Sequence, residues 1–267
     1  MIPARTARIH LLPAKEAPIV VILRRKPSKV FHLMRWNTET DAIEHGSWFR
    51  GRLYPLRCDV SNDGNWMVYL ALGAGGNTWN GVCKLPWLMT ACEAENVGTY
   101  HGGGYWADGK TLLTNGWSGI RTVEKFPFAL SPLSTTYSED EGVLYPRMER
   151  DGWRRAVPPG KEGALEGTKK RAAIPRGDAG WEHQPSPKHP VLRCFYRSYL
   201  QRGRTFEFRL EGYPDVLDAN VEWATWDSLG QLVVARSGEV EKYRLSDLAK
   251  GKRTFGRSFE DLEPPEA

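Results

Sequence analysis

The chain has 267 residues, 40% of them hydrophobic and 26% charged, with a formal net charge of +5; this balance fits a water-soluble globular protein and disfavours disorder, collagen and coiled coil. The longest apolar run, Ile19-Val20-Val21-Ile22-Leu23, stops at Arg24-Arg25-Lys26, far short of the ~20 residues that a membrane-spanning helix needs. The amino terminus, with Arg5, Arg8, His10, Pro13, Lys15 and Glu16, lacks the apolar core and small-residue cleavage site of a secretory signal, so a cytoplasmic protein with no membrane contact is expected.

Twenty-seven Gly, 18 Pro and 11 Trp residues divide the chain into short segments dominated by aromatic and β-branched side chains, the pattern of an all-β protein. In chain order, Leu56-Arg57-Cys58-Asp59-Val60 reads as a strand, and the turn Asn62-Asp63-Gly64 leads into Trp66-Met67-Val68-Tyr69-Leu70. Residues 88–95 are ambiguous between helix and strand. Asp108-Gly109-Lys110 leads into Leu112-Leu113, Asp151-Gly152 is a weaker turn of the same kind, and Ser186-Pro187-Lys188-His189 precedes Val191-Leu192-Arg193-Cys194-Phe195. Thr205-Phe206-Glu207-Phe208-Arg209-Leu210 alternates with period two, as do Val221, Trp223 and Thr225 against Glu222 and Ala224, so each has one buried face and one wet face. Asp227-Ser228-Leu229-Gly230 then leads into Leu232-Val233-Val234-Ala235, and Ser246-Asp247-Leu248-Ala249 can open one short helix with Ser246 as its N-cap.

The recurrent unit is a turn followed at once by an apolar strand. Positions 64, 109, 152, 189 and 230 are spaced by 45, 43, 37 and 41 residues, in or near the ~40 to 45 residues of a four-stranded propeller blade. Asp-Gly suits a two-residue type I′ hairpin because both central positions need positive φ. In its Ser61-Asn62-Asp63-Gly64-Asn65-Trp66 and Trp226-Asp227-Ser228-Leu229-Gly230-Gln231-Leu232 stretches the chain resembles β-propeller repeat proteins. It departs from the Trp-Asp repeat subfamily in having no regular Gly-His and terminal Trp-Asp pair. The resemblance implies one β-propeller domain over residues 1–267, with five blades, or six if residues 19–36 open another. The alternative is a different all-β fold, a sandwich or a barrel.

Residues 147–176 hold nine basic side chains against four acidic ones, an excess equal to the net charge of the chain. Residues 157–190 carry many Gly, Pro and Lys and little periodicity, and read as a long irregular basic loop. Its functional reading is an electropositive arm, through Arg154, Arg155, Lys169, Lys170 and Arg171, that meets an acidic surface or nucleic acid. Its plain reading is a solvated loop, favoured because a nucleic-acid footprint needs basic residues organised on one face. Residues 259–267 form an acidic tail that either screens the arm or is disordered.

Chemical motifs are weak. Gly104-Tyr105-Trp106-Ala107-Asp108-Gly109-Lys110-Thr111 matches the P-loop pattern but has neither the preceding buried strand nor the following helix that such a loop needs. His101-Gly102-Gly103-Gly104 and Gly116-Trp117-Ser118-Gly119-Ile120 approach an oxyanion-hole segment and a nucleophile elbow, and each lacks its partner; the glycine run still lets a ligand or another backbone come close. His183 and His189 are separated by prolines that fix an extended chain, so no metal site is expected there. Cys58, Cys83, Cys92 and Cys194 show no close ligand pairing and read as buried reduced thiols. Trp79, Trp106, Trp117 and Trp181, with His101 and Tyr105, fall near Gly-rich or polar loops, where exposed rings would make a platform for a protein, a sugar or an unstacked base. The reading is a non-enzymatic interaction scaffold that holds a protein partner through these aromatics and the basic arm, with no cofactor. The alternatives are a carbohydrate-binding or glycoside-processing enzyme working with channel carboxylates, and a nucleic-acid-binding accessory protein.

Overall fold

A computed structural model describes residues 6–96, 98–135, 139–156, 178–199 and 203–265. Strands follow in the order β1 (Arg8–Pro13), β2 (Ile19–Arg25), β3 (Val30–Asn37), β4 (Ile43–Leu53), β5 (Asp59–Val60), β6 (Trp66–Gly73), β7 (Thr78–Lys84), β8 (Thr90–Asn96), β9 (Gly104–Trp106), β10 (Thr111–Thr114), β11 (Ser118–Thr122) and β12 (Ala129–Pro132). A single α-helix among the described residues, α1 (Glu141–Arg150), separates these from β13 (Arg154–Ala156), β14 (Asp178–His183), β15 (Leu192–Tyr199), β16 (Gly203–Leu210), β17 (Val221–Trp226), β18 (Leu232–Arg236), β19 (Glu239–Tyr243) and β20 (Phe255–Ser258). No described helix is long and apolar enough to cross a membrane.

The fold is all-β and built of several largely antiparallel sheets. β1 to β4 form a meander, and the last three residues of the long β4 leave β3 to pair with β6, which continues through β7 and β8 to β11. A smaller sheet joins β9, β10 and a parallel β12. β13 to β16 and β17 to β20 are two four-stranded meanders.

The expected turns join strands at 61–65 (β5 to β6), 107–110 (β9 to β10), 184–191 (β14 to β15) and 227–231 (β17 to β18). They are not type I′ hairpins. Asp63, Asp108 and Asp227 have ordinary backbone conformations, and their carboxylates accept backbone N–H groups further along the turn: Asn65 at 3.1 Å, Lys110 and Thr111 at 2.7 Å, and Leu229 and Gln231 at 3.0 and 2.7 Å. Asp serves these turns as an acceptor, in Asx fashion. Asp151-Gly152 is no hairpin at all; it ends α1, where Gly152 takes a φ of +90° as a helix-terminating glycine does. The turn 14–18 likewise joins two strands, β1 and β2, and carries no Gly. Residues 88–95 lie mostly in β8, and Leu245–Lys250 is a 3-10 turn where a short helix was expected.

Burial follows the alternation of the strands. Trp36, Trp223, Trp226, Trp181 and Leu144 of α1 share the largest apolar cluster, Val21, Met67 and Tyr69 a second, and Trp66, Trp106 and Leu112 a third. All four cysteines are buried and free.

The first and last sheets are tied together. β1 packs on β17 and β18, Glu222 accepts the Ile9 N–H at 2.6 Å, and Arg24 donates to the Phe259 carbonyl at 2.7 Å. Glu260 accepts the Ala7 N–H at 2.8 Å and pairs with Lys26. The start of the expected acidic tail is therefore part of the fold, with Phe259 buried. Glu260→Ala removes both the acceptor and the ion partner and is expected to lower unfolding stability by about 1–2 kcal/mol, read from urea denaturation, whereas Glu263→Ala at an exposed position is expected to leave the midpoint unchanged.

Candidate functional site

Helix α1 begins with Asp140 and Glu141 and ends with Arg147 and Arg150, a charge order that suits the helix dipole. It packs on the turn Pro55–Arg57 and on β9, and its cations are buried. The Arg150 guanidinium binds Asp59 through Nη1 and Nη2, the latter at 3.0 Å, reaches the Trp106 carbonyl at 2.8 Å, and binds Asp151 through Nε at 2.8 Å. Arg147 donates to the Cys58 carbonyl, and Arg57 binds Asp140 at 2.7 Å. Burial raises the Asp151 carboxyl above its ordinary value despite Arg150 beside it. Between this cluster, β1 and β17 the remaining space is about 10 Å³, room for one water.

At the other end of β1 the packing opens into a cleft of about 560 Å³, within the range of small-ligand sites. Arg8 and His10 of β1, Arg25 of β2, Leu56 of the turn Pro55–Arg57, Phe206 of β16 and Glu222 of β17 line it. Arg8 and Arg25 are direct partners in the β1–β2 register, so the hairpin sets both guanidiniums at its open end. His10 is buried, with its ring centroid 4.1 Å from that of Trp223 and its Nε2 without a hydrogen bond. Burial, with Arg147 nearby, pushes its pKa well below the ordinary histidine value, so the ring is neutral. Burial raises the Glu222 carboxyl, against the Ile9 N–H and the two arginines. The arrangement offers two cations to one acid over partly apolar walls, which suits an anionic group on an amphipathic ligand.

None of Arg8, His10, Arg25 and Glu222 was among the residues expected from sequence. Of those that were, Trp106 and Trp181 are fully buried and Tyr105 nearly so, which leaves neither indole as a platform. Arg155 lies over Trp181 at 3.9 Å and Tyr145 at 4.1 Å, a packed cation rather than a reaching arm. Arg154 and His101 are exposed. Trp117 is half-buried and donates from Nε1 to the Gly103 carbonyl at 2.8 Å, and Trp79 is half-buried on β7. Lys169, Lys170 and Arg171 lie outside the described residues. The glycine run does admit a backbone: a β-carbon on Gly103, whose φ is +77°, would sit 2.1 Å from the Arg57 carbonyl oxygen. The P-loop-like stretch is β9, a turn and β10, and no helix follows it. His189 is held in its turn by Ser186 at 2.8 Å and the Gly230 carbonyl at 3.1 Å, and no cluster of three or more metal-ligating side chains occurs among the described residues.

No protein-family model matches the chain, and no curated protein does. Among solved structures the chain is similar to an uncharacterized protein, lmo1340, from Listeria monocytogenes EGD-e, at 10% identity and a TM-score of 0.34 over 95% of this chain and 83% of that one. It is also similar to the β-propeller domain of the Trilobed protease from Pyrococcus furiosus, at 10% identity and a TM-score of 0.32 over 97% and 86%. A third likeness is to the WD40 domain of SCAP from fission yeast, at 12% identity and a TM-score of 0.25 over 99% and 68%. These likenesses carry no role to any residue of this chain.

Proposed function

We propose that the chain is a five-bladed β-propeller serving as a non-enzymatic interaction scaffold, and that its axial cleft receives an acidic group of a protein partner. Five groups of strands in chain order support the architecture: the nine-stranded sheet divides at β4 into β1–β4 and β5–β8 with β11, and the three-stranded sheet of β9, β10 and β12 and the meanders β13–β16 and β17–β20 follow. The bonds between the first and last units support ring closure. Helix α1 and its ion pairs then fill one end of the axis and leave the other end open. The observation that carries the function is the pairing of Arg8 with Arg25 at the mouth of that opening. Four buried thiols suit a reducing compartment such as the cytosol, and the basic segment 157–190 supplies a second, longer-range attraction for the same acidic partner.

The test is affinity capture of the tagged protein from its native cell, with nuclease, beside an Arg8→Glu/Arg25→Glu variant. A stoichiometric protein that the variant holds at least about tenfold more weakly is the expected result. Equal capture by both proteins, or loss of all partners on nuclease treatment, overturns the reading.

A further inference from the structure

A second site lies far along the sequence from the cleft, on the outer strands of the second sheet. Trp79 of β7 stands directly opposite Glu95 of β8, and Glu93 stands opposite Arg121 of β11. Strand alternation places all four side chains on one face. They line an open groove of about 700 Å³ together with Asn77 and Asn96.

Its composition is specific. One aromatic ring is surrounded by planar polar groups, two carboxylates, two carboxamides and a guanidinium, with no second large apolar side chain. Trp79 is fixed in place: the Phe49 ring meets it edge-on at 5.9 Å, and a β-carbon on Gly73 would come within 3.2 Å of its Cζ3. Arg121 is oriented by Glu93, with Nε at 2.9 Å. The side chains of Asn77 and Glu95 make no hydrogen bond among the described residues. A rigid ring with unused planar acceptors and donors around it is preorganised for a ligand that has one apolar face and a rim of hydroxyls.

We propose that this groove binds a neutral oligosaccharide, with one pyranose ring stacked on Trp79 and its hydroxyls hydrogen-bonded to Glu95, Asn77 and Arg121. A pyranose presents axial C–H bonds to the indole face and vicinal hydroxyls at the spacing of a carboxylate or amide. Nucleic acid fits badly, because its phosphates would meet Glu93 and Glu95, of which only Glu93 is paired with a cation. The groove shares no residue with the axial cleft, and each stands or falls alone.

The experiment is an array of immobilised neutral oligosaccharides (α- and β-glucans, mannan, galactan and chitin fragments), followed by calorimetric titration of the best binder into the full chain. Trp79→Ala is expected to weaken binding about tenfold or more. Glu95→Ala, at an exposed position that cannot disturb the core, is expected to weaken it about fivefold with the melting temperature unchanged. Should Trp79→Ala fail to fold, Glu95→Ala and Asn77→Ala decide the matter. No binding to any neutral glycan, glycan binding that the exposed variants leave unchanged, or tighter binding of a single-stranded oligonucleotide overturns the proposal.

Discussion

Asp59→Ala is expected to cost about 2–4 kcal/mol of unfolding stability, short of the ~3–5 kcal/mol for a wholly uncompensated buried charge because Asp151 still pairs with Arg150. Both partners are sequestered, with side-chain exposures of 2% for Asp59 and 6% for Arg150, and Asp59 also accepts the Trp106 N–H at 2.9 Å. The substitution therefore removes the bidentate partner of the guanidinium, leaving it Asp151 and the Trp106 carbonyl, and strands the Trp106 N–H at the contact between β5, β9 and α1. Against a typical total of about 5–15 kcal/mol, the loss is a large shift in urea midpoint. Removing all three charges is a different experiment: Asp59→Leu/Arg150→Met/Asp151→Asn is expected to recover part of the loss, because neutral replacement of a buried ionic cluster leaves no charge uncompensated. The exposed pair Arg209–Glu207, at 59% and 42% exposure, gives the contrast, and Glu207→Ala is expected to change stability by less than about 1 kcal/mol. An Asp59→Ala midpoint within error of the unchanged chain would mean that α1 is not anchored through Arg150.

The strand-rich character was legible because alternation and turn residues are local. Thr205 to Leu210 and Val221 to Thr225 fall inside β16 and β17, and the strand-joining turns at 61–65, 107–110, 184–191 and 227–231 were found from short polar clusters. The turn at 14–18 was missed because it has neither Gly nor a short polar Asn, Asp or Ser side chain, and its shape comes from Pro18 and from contacts with the 61–65 turn, Glu16 N–H to the Asn62 carbonyl at 2.9 Å. Asp151-Gly152 misled in the opposite direction, since a helix end and a hairpin ask the same backbone freedom of glycine. Helix α1 was hidden by Gly142 and Pro146, both poor helix formers. Its stability comes from burying Val143, Leu144 and Met148, a tertiary term that propensity does not contain.

The site was much less legible than the fold. Aromatic residues near glycines suggested surface rings, yet Trp106 and Trp181 lie in the core because the short strands β9 and β14 run through it. The cleft joins Arg8 to Glu222, more than two hundred positions apart. That meeting depends on the first sheet adjoining the last, which no local pattern encodes. The β1–β2 register that pairs Arg8 with Arg25 is local, and the basic end of the Ile19 to Leu23 run was its only visible sign.

Acidification is expected to destabilise the protein well before ordinary carboxylates titrate. Burial depresses His10 strongly and holds His32 and His183 at about 4. The unfolded chain takes up these protons as pH falls through about 6.5 while the folded chain refuses them. Each such histidine therefore contributes stability that is fully present above about pH 6.5 and is lost toward pH 4. Asp151, Glu222 and Asp227, raised by burial, act with the opposite sign and offset part of the loss. With about two net protons favouring the unfolded state, at 1.36 kcal/mol per proton per pH unit, stability is expected to fall by roughly 2–3 kcal/mol between pH 6 and pH 5. Urea midpoints at fixed ionic strength across pH 7.5 to 5 measure it, and a flat profile would contradict the burial of these rings. His10→Leu separates one contribution from the rest: His10 Nε2 has no hydrogen bond to lose, so the variant should keep its stability at pH 7.5 and show a slope smaller by about one proton.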